Sequence, residues 1–396
     1  MRADADDLAV AFPDPWLRLY ALKANGLAPL IRELPGRGFG ASAVSGGEVA
    51  LARRAGFAFG DIALEGIGKS PADLRLAVRL AALGTPLRWL TVESAEEAAA
   101  LADAWRRQHR RGGDPRAPRI DVLVRLNPSV RPETQPGLAV GAGDSKFGVT
   151  SDELAEVVAA GGGPDGPIRW RGLHVHVGSQ LGAVDAWRGG FRVALATLQL
   201  HRAQLTDFDT LDAGSGFPVQ SQPGPTPAHF AAEAATALAE LAADLPLRLA
   251  VEPGRAIVAR AGWLLARVLH VRDRDRRRVV LDAGMTELIR PALYGAEHPI
   301  VALTSLGRPV QAGDDPNGDV PPRVVVDGPV CEATDALGEA RLPALRRGDL
   351  VAIGHAGAYA SAMASTYNGR PRAAEIAWHG DRLELLRRRG SATSLP

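Results

Sequence analysis

The chain has 396 residues, enough for a barrel-sized domain and a second one, and its 46% hydrophobic and 23% charged content is ordinary for a globular protein. A net charge of +1 gives no electrostatic reason to expect nucleic acid or an anionic membrane as partner. The single cysteine, Cys331, excludes an intrachain disulfide; no apolar run has membrane-span length and the acidic start is unlike a secretory leader, so a cytoplasmic protein is expected.

Through the first two thirds, short apolar strands alternate with capped helices. Strands are predicted over Leu17–Leu22, Phe39–Val44, Asp61–Glu65, Leu87–Val92, Ile120–Leu126, Arg171–Val177, Asp207–Asp212 and Leu247–Glu252. Ser45 with Glu48, Ser94 with Glu97 and Thr150 with Glu153 have capping-box spacing, and Ser70-Pro71 places proline at a first helical position. Alanine-rich amphipathic runs follow, such as Glu96–Arg106 and Pro227–Ala243. Eight such units predict an α/β fold, a parallel (β/α)8 TIM-like barrel. A doubly wound sheet is the competitor, but no Gly-x-Gly-x-x-Gly follows the first strand.

Beyond Glu252 helical periodicity is scarce. Strand-like runs at Trp263–Val271, Arg278–Asp282, Arg323–Asp327, Leu350–Ile353 and Ala374–Trp378 predict a mainly-β domain, sandwich- or barrel-like. The expected domains are thus 1–256 and 257–396. The Gly/Pro/Asp-rich stretch Ser305–Pro322 is expected to be an exposed loop.

A parallel barrel builds its site at the C-terminal strand ends. Those ends carry Lys23, Ser45-Gly46-Gly47, Gly66 to Ser70, Asn127, His176 to Gln180, Gly214-Ser215-Gly216 and Glu252 to Arg255. Lys23, at a strand end among small residues, can be partly desolvated and aimed inward as a Schiff-base lysine; alone, a solvated loop lysine is the commoner case. The glycines at 214 and 216 let backbone amides approach an anion, with Arg255 as counter-charge, although such a turn and a surface arginine are both common. Glu252 ends an apolar strand, where it forms either a structural salt bridge or a contact holding a heteroaromatic nitrogen protonated. His174 and His176 alternate on one strand, and each singly is more often a core histidine. Together these groups are what a phosphorylated pyridine aldehyde needs, and clustered metal ligands are missing, so no metal is expected.

Longer motifs run through the whole chain: YALKAN (20–25), SGGE (45–48), SKFG (145–148), GLHVHVGSQ (172–180), EPGR (252–255), DAGMTELIRPALY (282–294), GPVCE (328–332) and GAYASAMASTYN (357–368). In these the chain resembles the diaminopimelate decarboxylases, pyridoxal-phosphate enzymes that pair a β/α barrel with a C-terminal β domain. The resemblance implies decarboxylation of meso-2,6-diaminopimelate to L-lysine, with Lys23 carrying pyridoxal 5'-phosphate as a Schiff base. It places His176 against the ring, Glu252 at the ring nitrogen, and Gly214, Ser215, Gly216, Ser179, Gly254, Arg255 and Tyr359 around the phosphate. It assigns Arg255, Arg290, Tyr294, Glu332 and Tyr359 to the substrate and makes Cys331 a proton donor. An arginine fork suits a distal carboxylate and Glu332 suits a distal ammonium. It also implies a homodimer in which Cys331 and Glu332 reach the partner's active site.

Three departures stand out. The chain begins almost at the lysine strand, so the expectation is either that its start has been placed too late or that it is a shortened relative with an exposed edge there. Gly66 to Ser70 replaces a more usual Asn-rich segment, and Gly214-Ser215-Gly216 replaces three glycines. Two other readings stay open: a related decarboxylase of another amino acid (a D-amino acid, ornithine, lysine or a carrier-bound substrate), and a shortened non-catalytic homologue.

Overall fold

A computed structural model describes residues 1–110, 119–219, 224–308 and 321–391. The chain divides into two compact units, Arg2–Ala256 and Ile257–Pro396.

In the first unit the eight strands are β1 (Leu17–Ala21), β2 (Phe39–Ala43), β3 (Ile62–Leu64), β4 (Trp89–Val92), β5 (Ile120–Leu126), β6 (Ile168–Val175), β7 (Thr210–Asp212) and β8 (Arg248–Val251). They close in sequence order into a barrel, every neighbouring pair parallel. The predicted fold class is therefore observed. The exposed edge expected at the lysine strand is not: β1 pairs with β2 on one side and β8 on the other. Closure removes both edges at once, and Leu19 and Tyr20 are buried.

Side-chain alternation explains why the barrel is filled and where it turns polar. Leu19, Ala63, Trp89, Leu123 and Ala250 form one buried interior cluster. Two residues further along their strands, on the same inward face, stand Glu65 and Glu252. His174, Asp212 and Ala250 lie in register across β6, β7 and β8. The interior thus changes from apolar to titratable near the C-terminal strand ends.

Capping sets the outer helices. Ser70 and Asp73 make a reciprocal box at the start of Pro71–Ala82, and Ser45 Oγ accepts the Glu48 amide ahead of Gly46–Arg54. Thr226 with His229 forms a further box at Pro227–Leu241, with histidine in the place of the usual Glu or Gln. Trp187, on the helix Asp185–Arg202, stacks 5.1 Å from Phe191 and meets Phe230 edge-on. Its indole N–H donates to Ala213 O at 3.1 Å, so this aromatic cluster braces the turn leaving β7.

The second unit is built from β9 (Leu264–Asp273), β10 (Arg277–Leu281), β11 (Ile300–Leu303), β12 (Arg323–Asp327), β13 (Ala336–Arg341) and β14 (Leu350–Ile353). These form one sheet ordered β11-β14-β9-β10-β12-β13, and β15 (Glu375–His379) pairs with β16 (Arg382–Arg387) as a separate hairpin. Val268, Leu281, Val326, Leu337, Val351 and Ile353 fill its core. Within the expected loop 305–322, residues 305–308 are exposed and 309–320 lie outside the described residues. No helix among the described residues is long and apolar enough to cross a membrane.

Candidate active site

The chain has three lysines. Lys69 has a buried side chain with Nζ 3.0 Å from Glu97 Oε1 and also bonded to Gly66 O. Lys146 lies with Nζ 5.2 Å from the Phe147 ring centroid. Lys23 occupies the short turn Leu22–Ala24 that follows β1. It is exposed, which corrects the expectation of a desolvated lysine: it sits in the turn beyond the strand, between buried Leu22 and Ala24. Its charge still reaches the barrel interior, where it lowers the pKa of His176 and of Glu252. Tyr20 Oη donates to Asn25 O at 2.9 Å and Asn25 Oδ1 accepts the Leu27 amide, so YALKAN is a self-clasped strand exit.

EPGR is tied to that exit. Ala21 N–H donates to Pro253 O at 3.1 Å, and a Cβ on Gly254 would stand 3.0 Å from the Ala21 Cβ, so glycine permits this close approach. Buried Arg255 follows, its Nη2–H donating to Ser179 Oγ at 3.0 Å. Gly214 and Gly216 have φ of 63° and 138°, conformations that favour glycine, while Ser215 between them does not have positive φ. Leu181 N–H donates to Gly216 O at 3.0 Å, so the Gly-Ser-Gly turn and the Ser179 loop form one assembly.

The titratable groups meet below this rim. Glu252 is 4% exposed, and His174 Nε2 lies 3.2 Å from its Oε2. Burial holds His174 below its ordinary pKa despite that carboxylate, so the ring is neutral and donates through Nε2. Glu252 is held well below the carboxylate range: bonds from Glu65 and His174 and the Lys23 charge outweigh its burial. His176 takes the Ser215 amide on Nδ1 at 3.1 Å, and burial, Lys23 and Arg125 keep it neutral. His174 and His176 therefore act apart, one on Glu252 and one on the glycine turn.

Several residues in this constellation were not singled out by the motifs. Glu65 faces Glu252, and Asp212, fully buried, accepts the Gly214 amide at 2.8 Å. Glu93 lies 3.7 Å from Arg125 and accepts the Gly148 amide of SKFG at 3.1 Å. A readable signal exists for each: a charge set into an otherwise apolar strand or strand end is costly unless it has work there.

Chemically the set fits a phosphorylated pyridine aldehyde. Arg255, the Ser179 hydroxyl and the glycine turn suit a phosphate, Glu252 suits a protonated ring nitrogen, and neutral His176 offers a flat face. Of the three lysines, Lys69 is committed to Glu97, whereas Lys23 is exposed at the exit of β1 and its charge acts on His176 and Glu252.

The second unit holds the remaining predicted residues. Arg290 is buried, with Nη1 3.2 Å from His298 Nε2, and His298 Nδ1 donates to Gly354 O at 2.9 Å. Tyr294 ends the same short helix, half-buried. Cys331 and Glu332 are exposed, and Glu332 Oε1 accepts from Tyr367 Oη at 2.7 Å. Tyr359 is half-buried with φ of 59°. Asp335, unremarked in the sequence, accepts the Met285 and Val330 amides, each at 2.6 Å, and so clasps DAGMTEL to GPVCE.

Comparison with known proteins agrees with this geometry. The family described as "Pyridoxal-dependent decarboxylase, pyridoxal binding domain" matches residues 2–259. The diaminopimelate decarboxylase of Deinococcus radiodurans is 36% identical over 93% of this chain and 86% of its own. That of Aquifex aeolicus is 31% identical over 96% and 84%. The crystal structure of the Helicobacter pylori diaminopimelate decarboxylase complexed with L-lysine superposes with a TM-score of 0.86 at 30% identity, over 99% of this chain and 92% of that one. The chain belongs to the diaminopimelate decarboxylase family of pyridoxal-dependent enzymes.

Proposed function

We propose that the protein is a pyridoxal-phosphate-dependent carboxy-lyase that converts meso-2,6-diaminopimelate to L-lysine and CO2. The observation that carries this reading is the barrel-end assembly: Lys23 in electrostatic reach of His176 and Glu252, with Arg255 hydrogen-bonded to Ser179 at 3.0 Å beside the Gly214–Gly216 turn.

Pyridoxal phosphate, when bound, supplies an aldehyde for the substrate amine and a ring that accepts the electron pair left by departing CO2. The chain's own residues hold and tune it. Lys23 would hold the aldehyde end of the cofactor through its amine. Arg255, Ser179, Gly214, Ser215, Gly216, Gly254 and Tyr359 hold the phosphate. Glu252, kept anionic by its donors, would favour a protonated ring nitrogen, and neutral His176 would face the ring without competing for that charge. Cys331 or Lys23 returns one proton to the α-carbon, completing the exchange of a C–C bond for a C–H bond.

Arg255, Arg290, Tyr294, Glu332 and Tyr359 fit a substrate with a second amino-acid centre, the arginines taking carboxylate and Glu332 ammonium. We place Cys331 and Glu332 in the site of a second copy, making a homodimer with shared active sites in the cytoplasm. Co-expressed Lys23→Ala and Glu332→Ala chains then regain part of the activity each lacks alone; full inactivity of the mixed dimer removes the shared site. The test of function is lysine formation from meso-diaminopimelate, run beside ornithine and arginine. Lysine as the main product supports the reading. Cofactor bound without lysine, or faster turnover of ornithine, overturns it.

A further inference from the structure

One buried group in the barrel has no role in the reaction just described. Glu65 directly follows β3, is 3% exposed, and its oxygens accept from two neutral donors: Ser42 Oγ at 3.1 Å on Oε2 and Trp89 Nε1 at 3.3 Å on Oε1. No salt bridge reaches it among the described residues, and burial and the carboxyls of Glu252 and Asp212 push its pKa up. One oxygen of Glu65, one of Glu252 and one nitrogen of His174 all lie within 4.8 Å of one another.

The hydrogen-bond pattern decides where the protons are. Glu252 Oε2 is taken by His174 Nε2. Oε1 receives no N–H or ordinary O–H from the described residues, yet it is buried. Two buried carboxyl groups with oxygens within 4.8 Å of each other repel when both are ionised, and a proton on one of them relieves that repulsion. Glu252 has His174 and Lys23 to favour its anion, whereas Glu65 has only neutral donors and like charges, so Glu65 is the acid.

We propose that Glu65 is a positioning residue for the cofactor nitrogen: a neutral carboxylic acid, clamped by Ser42 and Trp89, that donates its proton to Glu252 and orients that carboxylate as a single anion. Burial and the neighbouring Glu252 charge push the Glu65 pKa up, in keeping with this assignment. Asp212 is pushed up by the same two causes. Glu65 and Glu252 then present one negative charge to the ring proton, where two ionised groups would repel each other. The inference rests on the barrel end being the cofactor site.

The test separates a neutral donor from an anion. Glu65→Gln keeps the Trp89 contact on its carbonyl oxygen, and its NH2 serves both the Ser42 hydroxyl, which turns from donor to acceptor, and Glu252, so cofactor affinity stays within about threefold of wild type. Glu65→Leu removes the donor and weakens affinity on the order of tenfold or more. Infrared difference spectra of wild-type against Glu65→Gln protein at neutral pH show loss of a carboxylic-acid C=O band; subtraction cancels any band from Asp212. This readout needs no cofactor and no turnover. A Glu65→Gln variant that binds cofactor as weakly as Glu65→Leu, or a difference spectrum showing a lost carboxylate in place of an acid, overturns the proposal. Wild-type protein that shows the acid band but binds no cofactor instead removes the function on which the role depends.

Discussion

Replacing Gly214 by alanine probes how far the site depends on one backbone turn. At φ of 63° a non-glycine residue costs about 1 kcal/mol. The added Cβ would stand 2.5 Å from Val175 O and 2.9 Å from the His176 Cβ, so the strand end or the turn must move. Movement strains two hydrogen bonds, Gly214 N–H to Asp212 Oδ1 at 2.8 Å and Glu252 N–H to Gly214 O at 2.7 Å. At about 1 kcal/mol each, the total loss is about 2–4 kcal/mol. Because the turn also carries the Ser215 amide bound to His176, kcat/KM falls on the order of a hundredfold. Gly84→Ala is the control: φ is 73° with nothing within 4 Å, so only the backbone cost applies. Urea unfolding and titration of cofactor absorbance give the two readouts. If Gly214→Ala is no less stable than Gly84→Ala and binds cofactor unchanged, the turn does not organise the site.

Two further outcomes follow from single residues. His176 is held neutral in the folded chain, so the unfolded chain takes up a proton below about pH 6.5 that the folded chain does not. Its contribution is complete above that value and is lost as pH falls toward the folded pKa; in urea unfolding at pH 5 and pH 7, His176→Phe has a smaller stability difference than wild type, and an unchanged difference would contradict the assignment. Asp335→Ala leaves the Met285 and Val330 amides without their acceptor at a buried site, costing about 2–4 kcal/mol, and slows turnover while cofactor absorbance is retained. Wild-type turnover by that variant would show that the Cys331–Glu332 segment does not need this clasp.

The barrel was legible because its strands are short apolar runs separated by capped helices, and each of the eight falls on a predicted run. Legibility failed where the pattern is carried by neighbours. The strand β13 reads Ala-Leu-Gly-Glu-Ala-Arg, with little alternation, and is a strand because it pairs with β12. The helix Asp185–Arg202 contains Gly189-Gly190, which weakens its helical signal, yet Trp187, Phe191 and Leu195 bury one face of it. Glu65 closes an apolar strand just as Glu252 does, but the glycines after it drew attention to the loop. His174 reads as a satisfied core histidine and is buried as one; what the sequence hid was its partner Glu252, 78 positions away and brought near only by barrel closure. The exposed edge inferred for β1 failed for the same reason: a strand's second neighbour comes from β8, at the far end of the barrel sequence.

The most direct measurement is to reduce the cofactor-loaded protein with borohydride, digest it, and find the modified lysine by mass spectrometry. The chain's three lysines make the result unambiguous. The account predicts the pyridoxyl mass on the peptide containing Lys23, with Lys69 and Lys146 unmodified. The mass on Lys69 or Lys146, or on no lysine of a protein that retains bound cofactor, would contradict it.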